Sequence, residues 1–283
     1  MKIDELESAF KSAAKTRFTT QEVVLKKIAL ITDLQGDEAQ AYQSRVREFL
    51  DPLPGEFTLS VFSSDSFEYL DTLVRQVNED SPDLVCTYRN LNSDAWQFGY
   101  SLGEHLELLT QATDIPVLVL PNPKSEQDWS RSMERPSAIM VVTDHLTGDD
   151  RLVNYGLAFT PDDGNLYLSH VEDEIWYRRF LEYIAKIPAI NTATAEEKIT
   201  SQLIKEPTEY ANSVREALQE LGLRQNIEIK VTVGQELEVY REWLKAHSIN
   251  LVILNTKDEH QTAMSGFAHA FAVEFRNVPT LML

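Results

Sequence analysis

The chain has 283 residues, 43% of them hydrophobic, with one cysteine and a formal net charge of −19. That length accommodates one large core or two ordinary ones, and no stretch approaches the roughly 20 consecutive apolar residues of a membrane span. The acidic excess repels phosphate backbones and anionic bilayers, which disfavours nucleic-acid and membrane binding; the charged start from Met1 to Glu5 lacks an apolar signal core, so a cytoplasmic location is expected.

Ile3, Leu6, Phe10, Ala14 and Phe18 recur at spacings near three and four, which predicts an amphipathic helix over residues 1–20 packed on the first domain. Residues 28–33 read as a strand and about 37–50 as a helix, which Pro52 and Pro54 prevent from continuing. A strand at 57–61, a helix over about 66–78, a strand at 83–87, a helix near 99–112 and a strand at 117–120 follow. Between 123 and 136 the composition turns to Pro, Ser, Glu, Asp and Arg, which predicts an interdomain linker. Beyond it come strands at 139–144 and 166–171, then a helical stretch over about 175–221 that Pro188 and Pro207 are expected to divide. Strands at 227–233 and 249–254, a short helical run and a closing strand complete the chain. Strands alternating with helices predict parallel sheets covered on both faces.

The two halves repeat one another. Ile28 to Asp33 is echoed by Ile139 to Asp144, Asp83 to Cys86 by Asn250 to Leu254, and Ile115 to Leu120 by Val278 to Leu283. Self-similarity on this scale indicates a duplicated domain, with boundaries at 1–122 and 137–283. The first copy contains nothing to match the strand at 166–171 and the helix after it, so it is expected to lack one β/α unit, its strand at 57–61 matching 227–233. Each copy ends in a short apolar strand, Val117 to Leu120 and Thr280 to Leu283, that would be a sticky edge if left alone. Their pairing into an internal pseudo-dimer is the expected remedy.

Candidate chemistry is sparse. Cys86 lies in an apolar run and has no second cysteine, so it reads as a buried thiol. None of the six histidines pairs at i, i+4, and His260 and His269 stand nine apart, so no metal site is expected. His170 at a strand end reads as a structural hydrogen-bonding group. No serine sits in a G-x-S-x-G elbow, and no catalytic residue is assigned. The run Ile175, Trp176, Tyr177, Phe180, Leu181, Tyr183, Ile184, interrupted by Arg178, Arg179 and Glu182, is either sheet packing or a contact surface.

The second half resembles a universal stress protein domain. The residues that carry the resemblance are Asp144 at the end of a first strand, Ser169 to Asp173 at the end of a second, Val231 to Glu236 at a third-strand exit, Ile249 to Leu254, and the final Pro279 to Met282. The first half is similar at Asp33, 83–87 and Pro116 to Leu120. The resemblance implies two α/β, doubly wound parallel-sheet (Rossmann-like) domains in tandem, with strand order 3-2-1-4-5 in the full copy and a ligand crevice where the winding reverses.

Nucleotide-binding members of that family carry G-x-x-G after the fourth strand and, further on, Gly followed by Ser or Thr. Glycines allow backbone N–H groups close to the phosphates, and the hydroxyl adds a donor. Here the loop reads Asn255, Thr256, Lys257, Asp258, Glu259, His260, with Asn255 and Asp258 in the glycine positions and Phe267 after Gly266. The first-half loop, Tyr88 to Ser93, is likewise without glycine, and Gly99 to Ser101 matches the later pair only loosely. If the C-terminal pocket keeps a ligand, the resemblance places Asp144, Val171, Gly234, Thr256 and Gly266 around it, with ATP or a related nucleotide as the cofactor. Their simpler roles are a cap for Asp144, core for Val171 and a turn for Gly234. The preferred expectation is a non-catalytic stress-response or regulatory protein without a cofactor, acting through a protein partner or self-association. The alternatives are a small-molecule or nucleotide sensor, and an α/β enzyme such as a nucleotidyl transferase or hydrolase.

Overall fold

The computed structural model describes residues 16–63, 70–98, 100–124, 133–143, 146–187, 191–257 and 263–283. Its strands are β1 (Lys27–Thr32), β2 (Thr58–Ser63), β3 (Leu84–Tyr88), β4 (Val117–Leu120), β5 (Ala138–Thr143), β6 (Asn165–Asp173), β7 (Asn226–Gly234), β8 (Leu251–Leu254) and β9 (Thr280–Met282). The helices are α1 (Gly36–Phe49), α2 (Leu70–Asp80), α3 (Glu104–Ala112), α4 (Asp150–Phe159), α5 (Glu174–Ala185), α6 (Thr192–Leu221), α7 (Glu236–Ala246) and α8 (Gly266–Glu274). The expected α/β, Rossmann-like architecture is present.

All nine strands form one sheet in the order β2-β1-β3-β4-β9-β8-β5-β6-β7. The neighbours are parallel except at the centre, where β4 and β9 run antiparallel with Val117 opposite Met282, Leu118 opposite Leu281 and Val119 opposite Thr280. Helices sheathe both faces, which is why the central strands are apolar on both sides, with β3, β4, β5 and β8 buried throughout. The second half carries the strand order 3-2-1-4-5 read along β7-β6-β5-β8-β9.

Among the described residues the first half has four strands, and the structure corrects which unit it lacks. β2 lies directly against β1, from Lys27 opposite Thr58 to Thr32 opposite Ser63. This is the place that β6 takes beside β5. The strand at 57–61 therefore matches 166–171, not 227–233, and the missing strand is the outermost one. A strand could occupy that outer position only by leaving the backbone groups of β1 unpaired across a gap.

Two further expectations are corrected. Pro207 is inside α6 and does not divide it. The helix continues because one lost N–H is outweighed by a buried stripe of Tyr210, Ala211, Val214 and Leu218; Pro188 lies outside the described residues. The helix expected from residue 99 starts only at Glu104, after a 3-10 turn at Asp94–Gln97 and Gly103 at φ +88°.

Of the expected N-terminal helix, residues 1–15 lie outside the described residues, and 16–20 are irregular. They pack on the second half. Gln21 N–H donates to Asn154 Oδ1 at 2.9 Å, Phe18 N–H to Ser213 Oγ at 2.9 Å, and the Phe18 ring meets Tyr210 edge-on at 6.4 Å. The expected packing on the first domain is corrected for the described residues, because hydrophobic spacing marks an apolar face and not the surface that covers it. Residues 125–132 of the predicted linker also lie outside the described residues. On either side of them Lys124 pairs with Asp33 and Arg135 with Asp51. No helix among the described residues is long and apolar enough to cross a membrane.

Candidate functional site

Winding reverses beside β1 and β3 in the first half and beside β5 and β8 in the second, so each crevice opens at the carboxyl ends of those strands. In the first, the Asp33 carboxylate accepts from the Asn92 N–H at 2.8 Å, from Lys124 Nζ at 2.6 Å and from the Tyr88 hydroxyl. The Asp33 N–H donates back to the Tyr88 oxygen at 2.9 Å. Burial pushes the Asp33 acid upward, but the Lys124, Tyr88 and Asn92 donors outweigh it and hold the group below its usual range. The Tyr88 phenol is raised by burial and by the carboxylate beside it.

The loop after β3 turns through Asn90 and Asn92, both left-handed at φ 57° and 56°. It is clasped to the segment before α3: Asn90 N–H donates to Leu102 O at 3.0 Å and Ser101 Oγ to Asn90 Oδ1 at 3.0 Å. A Cβ at Gly103 would lie 2.7 Å from the Asn90 backbone, so glycine is required there by both its φ and its neighbour. Gly103 thus serves loop packing, and Gly99 lies outside the described residues. Arg89 donates to Ser101 O and to Ala272 O on α8, tying the first crevice to the second half. Its burial, with the Arg276 guanidinium nearby, lowers it to about 10.

In the second crevice Thr256 follows β8, and its N–H and Oγ1 both donate to Leu283 O, at 2.9 and 2.7 Å. Its own carbonyl accepts from the Ser265 N–H at 2.7 Å, and Ser265 Oγ caps α8 by accepting from Ala268 N–H at 3.1 Å. Gly266 opens α8, where a Cβ would meet nothing within 4 Å. Thr256 and Gly266 are therefore neighbours. Val171 is buried in β6, and Gly234 ends β7 opposite Asp173, where a Cβ would lie 2.8 Å from Val239 Cγ2. These two sit one and two strands from β5, so strand spacing alone separates Gly234 from the switch point by about 10 Å. Asp144 and residues 258–262 lie outside the described residues.

Sequence reasoning missed Asp149 and its pairing with Asn255. Asp149 Oδ1 accepts from Leu152 N–H at 3.0 Å as the cap of α4, and Asn255 Nδ2 donates to Oδ2 at 2.6 Å. Burial raises the Asp149 acid despite these donors. An acid directly before the helix and three residues ahead of Leu152, its first apolar residue, was the available signal for the cap. Nothing local marked Asn255 as its partner, 106 residues away.

His170 Nδ1 donates to Thr143 O at 3.1 Å, and Nε2 faces Glu172 at 3.4 Å, so the ring ties β6 to β5. Cys86 is fully buried, and burial drives its thiol above the usual range. Among the described residues no group of three or more His, Cys, Asp or Glu side chains is placed to hold a metal ion. The aromatic helix α5 divides: Tyr177 is buried, whereas Ile175, Trp176 and Tyr183 are 64%, 54% and 60% exposed. Trp176 and Phe180 stack at 5.4 Å with their planes 6° apart.

No family model matches the chain, and no curated protein matches it. Solved structures do. A universal stress protein from Archaeoglobus fulgidus superposes with a TM-score of 0.52 at 12% identity, over 90% of this chain and 97% of that one. A functionally unknown protein from Pseudomonas aeruginosa has a TM-score of 0.49 at 10% identity, over 92% of each chain. The fold is that of a universal stress protein.

Proposed function

We propose that this chain is a stress-response or regulatory protein of the universal stress superfamily, built from two such domains in tandem, that acts by protein association and not by catalysis. The observation that carries the reading is that the described residues of both crevice loops bond to the protein itself. Asn90 is clasped to residues 101–103, Thr256 is bonded through N–H and Oγ1 to Leu283, and Asn255, which stands in a glycine position, donates to Asp149. In this reading the β4–β9 pair is the seam of an internal pseudo-dimer, the location is cytoplasmic, and the nucleotide loops are degenerate. The exposed stack of Trp176 and Phe180 supports surface recognition, since aromatic side chains concentrate at contact centres.

Calorimetry with ATP and magnesium tests the first element of this reading, and no binding at micromolar concentrations is expected. Tight binding, or ATP copurifying with the protein by mass spectrometry, would replace it with a nucleotide sensor. Trp176→Ala tests the second. It should weaken partner capture or self-association by tenfold or more while leaving thermal unfolding nearly unchanged; a large fall in melting temperature with association intact would return α5 to a packing role.

A further inference from the structure

β7 ends the sheet, with β6 on one side and no strand on the other among the described residues. The Asn226 N–H donates to Gly164 O at 3.0 Å, so Asn226 faces β6. Backbone groups of successive strand residues point in opposite directions. Glu228, Lys230 and Thr232 therefore face β6 with Asn226, while the N–H and C=O groups of Ile227, Ile229, Val231 and Val233 turn to the open edge. Arg215 Nη2, reaching Ile227 O at 3.0 Å, marks that direction. β7 is nine residues long, contains no proline, and pairs with β6 in unbroken register from Asn226 to Gly234. It thus lacks the bulge, the proline and the shortness that blunt most sheet edges.

We infer that β7 is an interface for a second copy of this chain, paired antiparallel to itself about a twofold axis at Ile229. Ile229 faces the edge, so it and its symmetry mate exchange two N–H···O bonds as a hydrogen-bonded pair. In that register Glu228 stands opposite Lys230 of the second copy, and Lys230 opposite its Glu228. Both are non-hydrogen-bonded pairs, in which side chains approach most closely. Ile227 meets Val231 of the copy twice over, its carbonyl accepting from the Val231 N–H through the lone pair that Arg215 does not use. The other edge-facing centres fail: an axis at Val231 sets Glu228 against Gly234 and Lys230 against Thr232, one at Ile227 sets Lys230 against Arg224, and one at Val233 leaves only Thr232 to Gly234 within the strand. Glu228 and Lys230 lie 3.6 Å apart on the single strand, 38% and 26% exposed, and Glu228 also meets the Tyr167 hydroxyl, so both charges are on the same face and would exchange their partner within the strand for one on the copy. The opposite edge, β2, reads Thr-Leu-Ser-Val-Phe-Ser and has no charge to set such a register. A closed twofold contact on one edge gives a dimer and not a filament. The net charge of −19 on each copy opposes any association, but its reach is limited to about 8 Å at physiological salt, where the local pairs act.

The inference rests on strand geometry and is independent of the reading of α5. Sedimentation of the full chain at about 0.15 M salt, over micromolar to near-millimolar concentrations, should show the 32.3 kDa mass doubling. Lys230→Glu and Glu228→Lys should each weaken the dimer tenfold or more. Mixed in equal amounts, the two variants should restore it as a heterodimer, because every facing pair is again unlike. A wild type that stays monomeric, a dimer indifferent to both changes, singles that fail to complement, or a mass that grows beyond two copies would each overturn the inference. So would loss of the dimer in Trp176→Ala with the charge variants unaffected, which would assign association to α5. If a single change unsettles the strand, amide exchange on the wild type decides: Ile229 and Val231 should gain protection with concentration, and unchanged protection counts against the interface.

Discussion

Asp33 ends β1 with three donors converging on one carboxylate, contributed by β3, the loop after it and the segment after β4. Its position at a strand end was legible in the sequence. Its partners were not, since Lys124 lies 91 residues away and was read as linker. An acid held below its ordinary range stabilises the fold above its unfolded-state value, near 3.9, and that stability is lost as pH falls through the folded-state value. Asp33→Asn should therefore cost about 1–3 kcal/mol at pH 7, towards the lower figure because Lys124 is partly exposed. The difference from wild type should shrink as the buffer is acidified below about pH 4. Urea midpoints at both pH values measure it; a difference constant with pH would mean that the carboxylate charge contributes nothing.

Among the elements, α4 packs tightly on the sheet at Gly156. A Cβ on Gly156 would lie 2.8 Å from Val141 Cγ2 and 3.0 Å from Leu166 Cδ1, both on branched side chains of buried strands. Overpacking of this kind costs about 1–3 kcal/mol, which exceeds the gain of up to about 1 kcal/mol from replacing a helical glycine. Gly156→Ala should lower the unfolding free energy with an unchanged denaturant slope, and Gly156→Val should lower it further. A stabilised Gly156→Ala protein would show that the helix can lift off the sheet at no cost. α4 was not among the elements expected from the sequence, and the glycine inside it gave no hint of a crossing point. Pro207 teaches the converse: a strong local breaker was overruled by the face of α6 that buries Tyr210 and Val214.

Across the whole molecule the halves are joined by the β4–β9 ladder, by Arg89 reaching Ala272 and by the ion pair of Lys257 with Asp114. Leu118 and Leu281 face each other across the ladder and are fully buried. Heating should give one transition with equal calorimetric and van't Hoff enthalpies. Leu281→Asp, which sets an unpaired charge in that seam, should split it into two or cause aggregation of the exposed edges. Two transitions in the wild type would mean that the seam does not couple the halves.

The repeat, the alternation of strand and helix and the near-continuous apolar runs of β1, β3, β5 and β8 determined the fold class without any structure, because each reports a local period that burial on two faces enforces. Asn255 in place of a loop glycine was equally local and equally readable. Which strand lies beside which was not: β2 takes the inner position because backbone groups of β1 need a partner, a requirement that no residue in 58–63 encodes by itself. The same holds for the packing of residues 16–21 on the second half, for the Asp149–Asn255 pair and for the left-over edge of β7. These are decided by what remains unsatisfied once the sheet has formed, and that sum exists only in three dimensions.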